Sequence, residues 1–143
     1  MYLKFKKLHY DAILPTRGNE DDVGLDLYNL DDIHIPALDR RTLRTGLAVQ
    51  LPKSYAGYIQ SRSGLAHKFG IHVLNSPGLI DPGYRGELKV ILHNTSDREV
   101  LIKMGARIAQ LVVVPVETPE PVIVDELDET DRGDAGIGST GGF

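Results

Sequence analysis

Residues 75–92, NSPGLIDPGYRGELKVIL, hold the two signals from which the fold is read. In the second half, Leu88, Val90 and Leu92 recur at a period of two, the spacing of a strand with one buried face. The first half is turn-forming: Gly78, Pro82 and Gly83 surround a single carboxylate, Asp81. The simple reading is a β-hairpin with a polar tip. Yet Tyr84, Arg85 and Glu87 crowd the same stiff turn. An acid, an aromatic and a base held so tightly also read as a small pocket whose floor must not move.

Outward from this stretch the same period continues. Leu43, Thr45, Leu47, Val49 and Leu51 alternate with their neighbours, and so do Val100, Ile102 and Met104. Turn signals separate the runs at Pro52-Lys53, Pro82-Gly83, Asn94-Thr95-Ser96-Asp97 and Gly105. Short strands at this spacing predict a sandwich, jelly roll or barrel. One stretch differs. SGLAHKFG (63–70) opens on a potential N-cap, Ser63, and closes on Gly70, which predicts a helix of about two turns. No internal repeat is present.

The chain has 143 residues, the size of one domain. A domain of this length buries roughly two-thirds of its unfolded surface and needs no covalent staple. Cysteine is absent, so disulfides and thiolate chemistry are excluded. The start, MYLKFKKLHYDAILP, lacks the apolar run of a signal peptide. LVVVPV (111–116) is the longest apolar run and is too short to span a bilayer. These features predict a cytoplasmic protein with no membrane partner.

A net charge of −4 conceals an asymmetry. Residues 117–134 carry eight acids and one base, a net −7, which leaves twelve acids and fifteen bases, +3, elsewhere. A mildly basic body suits a small anionic ligand. It does not suit a nucleic-acid polymer, because no Lys/Arg stripe interleaved with aromatics is present. Arg40, Arg41 and Arg44 read as a solvated loop. The last residues, RGDAGIGSTGGF (132–143), contain five glycines. They read either as a frayed tail or as a lid that orders when a ligand binds, with backbone N–H groups to offer to phosphate.

Several short motifs carry no weight here. GIGSTG (136–141) matches G-x-G-x-x-G, but the chain ends too soon for the helix that a dinucleotide site needs. RGD (132–134) is only three residues. There is no P-loop, HExxH or GxSxG, and the five histidines show no metal-ligand spacing.

Five stretches, DVGLDLY (22–28), RSGLA (62–66), GLIDPGYRGE (78–87), RIAQL (107–111) and RGDAGIGSTG (132–141), together resemble the trimeric dUTPase family in order and spacing. The resemblance spans nearly the whole chain. It implies an all-β, jelly-roll-like dUTPase (β-clip) subunit over residues 1–131, with one short helix and a flexible Gly-rich C-terminal lid over 132–143. It implies hydrolysis of dUTP to dUMP and pyrophosphate, which limits uracil in DNA and supplies dUMP for dTMP synthesis. It also implies a homotrimer whose active sites are shared between subunits.

Roles follow from the resemblance position by position. Asp81 is the general base that activates water. Tyr84 lies against the deoxyribose and leaves no room for a 2′-hydroxyl. Asn75 and the main chain around Leu79, Ile80 and Lys89 hold the uracil edge. Arg62, Ser63, Gly64 and Gln110 meet the phosphates. Arg107 either touches ligand or holds a carboxylate at the interface. Asp26 acts on Mg²⁺ through water, or caps the loop before its strand. Arg132, Ile137 and Gly138 close over the substrate, with hydroxyls from Ser139 and Thr140. The sequence departs from the family at Ile137, where an aromatic or His stacks on the uracil, a role that Phe143 could take over. It departs also at Ala135 for glycine, Ser61 for proline and Val23 for alanine. Two other readings stay open: a dCTP deaminase of the same fold, and a non-catalytic trimer that binds nucleotide or protein.

Overall fold

A computed structural model describes residues 2–137 and 139. In chain order the elements are β1 (Lys4–Lys7), β2 (Leu25–Tyr28), β3 (Ile33–Ile35), β4 (Arg40–Arg44), β5 (Leu47–Gln50), β6 (Tyr55–Gln60), α1 (Ser63–Phe69), β7 (Ile71–Val73), β8 (Gly78–Ile80), β9 (Lys89–Asn94), β10 (Val100–Ile102) and β11 (Arg107–Pro115). The all-β architecture with one short helix matches the sequence reading. The strands do not close into one barrel. They form four open sheets, β1-β5, β10-β3, β2-β11-β6-β8 and β4-β9-β7.

The alternating residues do become the core. Leu43, Leu47, Leu88, Val90 and Leu92 are all at most 1% exposed. Each such side chain contributes about 1.5–3 kcal/mol on burial, so the alternation decides which face turns inward. The run from Leu43 to Leu51 is nevertheless two strands. Gly46, at φ 68, turns the chain, so that β4 pairs with β9 and β5 pairs with β1. Met104 breaks the third alternation. It lies in a turn, half exposed, and its N–H donates to Asp32 Oδ1 at 2.7 Å. Buried Asn94 shapes the turn after β9. Its Nδ2 donates to the Ile35, Pro36 and Arg98 carbonyls, and its Oδ1 accepts from the Ser96 N–H and hydroxyl.

Three local expectations are corrected. Residues 81–88 do not cap a hairpin, because β8 pairs with β6 while β9 pairs with β4 and β7. A turn does form, with Tyr84 N–H donating to the Asp81 carbonyl at 3.0 Å. Beyond it the chain crosses to another sheet, where Leu88 N–H donates to the Leu47 carbonyl at 2.7 Å. Arg40, Arg41 and Arg44 belong to strand β4, not a loop. There the Arg40 N–H, and then the Arg41 guanidinium, hold the Asp39 carboxyl below its ordinary range. Ser63 is not the N-cap. Arg62 takes that position in extended conformation and makes no side-chain capping bond. Gly70 ends α1 in the left-handed region, as expected.

β11 leaves the body at Pro115, and Val116 N–H donates to the Ser54 carbonyl at 2.9 Å. Beyond it the described residues are exposed and form no strand. No helix among the described residues is long and apolar enough to cross a membrane.

Candidate active site

The predicted site residues fall into two groups that the single chain does not bring together. The first is built on the four-stranded sheet. Gln110 of β11 stands opposite Asp26 of β2 on one side and Gln60 of β6 on the other. β6 ends at Gln60, so the next residues, Arg62, Ser63 and Gly64, emerge beside them. They line a cleft of about 490 Å³ together with Gly18, Asp22, Gly24, Asp26, Arg107 and Gln110.

Asp26 organises this cleft. Its Oδ1 accepts from Arg62 Nε at 3.0 Å and its Oδ2 from Arg107 Nη1 at 3.2 Å. The Asp26 side chain is only 14% exposed, so solvent screens these pairs incompletely. Two guanidinium groups against one carboxylate leave the trio net positive, while Asp22 brings the lining of the cleft as a whole to neutral. Within this chain, the carboxylate beside Arg107 is that of Asp26. The Asp26 N–H donates to the Thr16 carbonyl at 2.8 Å, and among the described residues its carboxylate accepts from the two arginines and from no backbone N–H.

Gln110 is held closely too. Its Nε2 donates to the Ser61 carbonyl at 3.0 Å, and Ser61 Oγ accepts from Val73 N–H at 2.8 Å. Gly24 lies against the carboxamide. A Cβ there would collide with Oε1 and sit 3.2 Å from Cδ. A side chain at this position would therefore make the Gln110 carboxamide shift. Gly64 is different, because a Cβ there would meet nothing within 4 Å. The chain's own packing does not demand a glycine where the cleft opens.

The second group forms where β8 and β9 splay into separate sheets. Leu79, Ile80, Asp81, Tyr84, Glu87 and Lys89 line a pocket of about 250 Å³. The Asp81 carboxylate is exposed, and none of the described residues donates a hydrogen bond to it. Tyr84 folds back over the loop, and its hydroxyl donates to the Glu87 carbonyl at 2.9 Å. The ring lies so near Gly86 that a Cβ there would be 2.6 Å from Cζ. Asn75 is exposed outside this pocket, with its Nδ2 beside Gly78. Sequence reasoning missed the structural parts played by Ser61, Gly86 and Glu87, whose partners are set by folding rather than by any local pattern.

Arg132 and Ile137 lie on the exposed arm and line neither pocket. Arg132 Nε donates to the Ala135 carbonyl at 3.0 Å. Gly138, Thr140 and Phe143 fall outside the described residues. Among the described residues, no group of three or more His, Cys, Asp or Glu side chains could hold a metal ion. Both Asp26 oxygens already carry a guanidinium partner, which leaves room for a water-mediated contact and not for a protein cage.

The family model "dUTPase" matches residues 10–141. The deoxyuridine 5′-triphosphate nucleotidohydrolase of Hydrogenobaculum sp. (strain Y04AAS1) is 52% identical over 142 residues, covering 99% of each chain. The dUTPase of Staphylococcus bacteriophage 80alpha, solved with dUpNHpp, superposes with a TM-score of 0.91 at 30% identity, covering 98% of each chain. A dUTPase from phage phi11 of S. aureus, described with a structural Mg(II) ion, gives 0.84 at 26% identity, covering 90% of this chain and 100% of that one.

Proposed function

The chain belongs to the dUTPase family, and from that premise we propose that it hydrolyses dUTP to dUMP and pyrophosphate at a site assembled from the two groups. The observation that carries the reading is the division of chemistry between them. The cleft holds the cations and N–H donors that a triphosphate needs, and the 81–88 loop holds the one unpaired carboxylate among the site residues.

In this reading Asp81 accepts a proton from a water that attacks the α-phosphorus. A P–O bond to the new oxygen forms, the bond to the bridging oxygen breaks, and pyrophosphate leaves. The role of Asp81 needs its carboxylate fixed and available. The turn fixes its backbone, and the open pocket leaves its oxygens free. Tyr84 presents its ring to the sugar, and a ring held over Gly86 cannot retreat to admit a 2′-hydroxyl. Backbone groups of Leu79, Ile80 and Lys89, at the gap between diverging strands, suit the uracil edge, with Asn75 at its rim.

Arg62, Ser63, Gly64 and Gln110 bind the phosphates. The N–H groups of Ser63 and Gly64 lie in the first helical turn, where no intrahelical acceptor exists. The open space around Gly64 lets an oxygen approach the backbone closely. Asp26 would hold Mg²⁺ through water, and the ion would offset the charge of the triphosphate when bound. Arg132, Ile137 and Gly138 act from the arm as the lid proposed for residues 132–143, distal to the 1–131 domain.

We also propose a homotrimer in the cytoplasm. Its support is that the two groups lie apart in one chain, so that the loop of one copy can complete the cleft of another. Val122, Ile123 and Leu127, in the segment that precedes the arm and at least 76% exposed, are further surface for association. The test is pyrophosphate release with Mg²⁺ and dUTP, UTP, dTTP or dCTP. Release from dUTP alone is expected. Ammonia release from dCTP, or tight dUTP binding without turnover, contradicts the proposal.

A further inference from the structure

Glu87 is not needed to bind substrate in the scheme above, yet it lies at the most connected point of the 81–88 loop. Its side chain is only 13% exposed. Oε1 accepts from the Gly46 N–H at 2.9 Å, and both oxygens accept from Arg44 Nε at 3.2 Å. Its main-chain carbonyl accepts the Tyr84 hydroxyl at 2.9 Å. One residue thus joins the tyrosine ring, through its backbone, to the corner between β4 and β5, through its carboxylate. That corner is rigid. Gly46 is at φ 68 and has Ala12, His9 and Leu30 packed around it, within 3.0–3.3 Å of where a Cβ would be.

The remaining bonds of the loop are local. Tyr84 N–H donates to the Asp81 carbonyl, and Arg85 Nη1 donates to the Pro82 and Tyr84 carbonyls. They shape the turn but do not tie it to the body. Two ties run from this end of the loop to the sheets: the Glu87 carboxylate, and the Leu88 N–H, which shares a peptide plane with the Glu87 carbonyl and donates to the Leu47 carbonyl.

We propose that Glu87 is a positioning residue for sugar selection. Its carboxylate, together with the Leu88 N–H in the same peptide plane as the Glu87 carbonyl, sets where that carbonyl stands, the carbonyl sets where the Tyr84 ring stands, and the ring excludes the 2′-hydroxyl. This inference rests on the proposed reading of Tyr84 as the sugar filter. A filter discriminates only if it cannot yield. A ring free to shift admits the ribonucleotide while still accepting the deoxyribonucleotide, so loosening the anchor lowers selectivity more than it lowers turnover.

The test compares kcat/KM for dUTP and UTP in the wild-type chain and in Glu87→Ala, Glu87→Gln and Arg44→Met. The expected fall in the dUTP/UTP ratio for Glu87→Ala is about tenfold, the size of one strong hydrogen bond's worth of discrimination. Glu87→Gln keeps an acceptor for Gly46 N–H and recovers most of the ratio. Arg44→Met, altered on the exposed side of β4, lowers the ratio by about threefold and carries the test alone should Glu87→Ala not fold. An unchanged ratio in Glu87→Ala overturns the inference, as does an equal loss with both nucleotides, which marks a merely structural role. Where Glu87→Ala does not fold, an unchanged ratio in Arg44→Met overturns it. A wild-type chain that does not turn over dUTP overturns instead the functional reading on which the inference rests.

Discussion

Asp81 and Gly24 show how differently single residues in this site are constrained. Asp81 is free, since its carboxylate has no donor among the described residues, so its replacement disturbs no packing. Asp81→Asn is expected to lower kcat by about 10²–10⁴-fold, the range for loss of a general base, while dUTP affinity by equilibrium binding stays near that of wild type. Gly24 is confined by the Gln110 carboxamide. Gly24→Ala is expected to push Gln110 off the Ser61 carbonyl and weaken triphosphate binding by about tenfold, the equivalent of one hydrogen bond of ~1.4 kcal/mol. Calorimetric titration with a non-hydrolysable dUTP analogue measures it. The sequence made Asp81 legible because one carboxylate stood in one stiff turn. It could not make the Gly24–Gln110 contact or the Asp26–Arg62–Arg107 trio legible, because those pairs meet only when β2, β6 and β11 align.

Among the elements, the strands were readable and their pairing was not. Alternation placed Leu88, Val90 and Leu92 in the core, since burial acts on every second residue regardless of partner. It could not reveal that Gly46 divides one run between two sheets, or that the 81–88 loop crosses between sheets. Both depend on contacts some forty residues apart, such as Glu87 with Gly46. The helix start was misread for a local reason: Ser63 has the right chemistry for a cap, but Arg62 holds the extended position before the first turn. Asn94 is the clearest element-scale liability. It satisfies three carbonyls at the end of β9, and Asn94→Ala is expected to destabilise the fold by about 3 kcal/mol through unpaired buried groups, measured by urea unfolding. The arm is the opposite case. Deleting residues 132–143 removes no contact with the body among the described residues, so thermal stability is expected to hold. The same deletion is expected to cut turnover by about 10²-fold through loss of closure over the substrate.

For the whole molecule, the decisive fact is that one chain keeps the two groups of site residues in separate pockets. The phosphate cleft sits on the sheet β2-β11-β6-β8, and the selecting loop lies between β8 and β9. Folding a single chain does not join them; in the proposed trimer, association would. This is where reading the residues alone stopped at a small, mostly β domain, because surfaces that recognise a second copy carry no periodic signal. The most direct measurement mixes two inactive variants, Asp81→Asn and the double variant Ser63→Ala/Gln110→Ala, under conditions that allow subunit exchange, and follows pyrophosphate release from dUTP. If each site takes its loop and its cleft from different chains, random assortment restores roughly a quarter of the wild-type rate. A mixture that stays as inactive as its components would show that loop and cleft act within one chain, and would contradict the shared site.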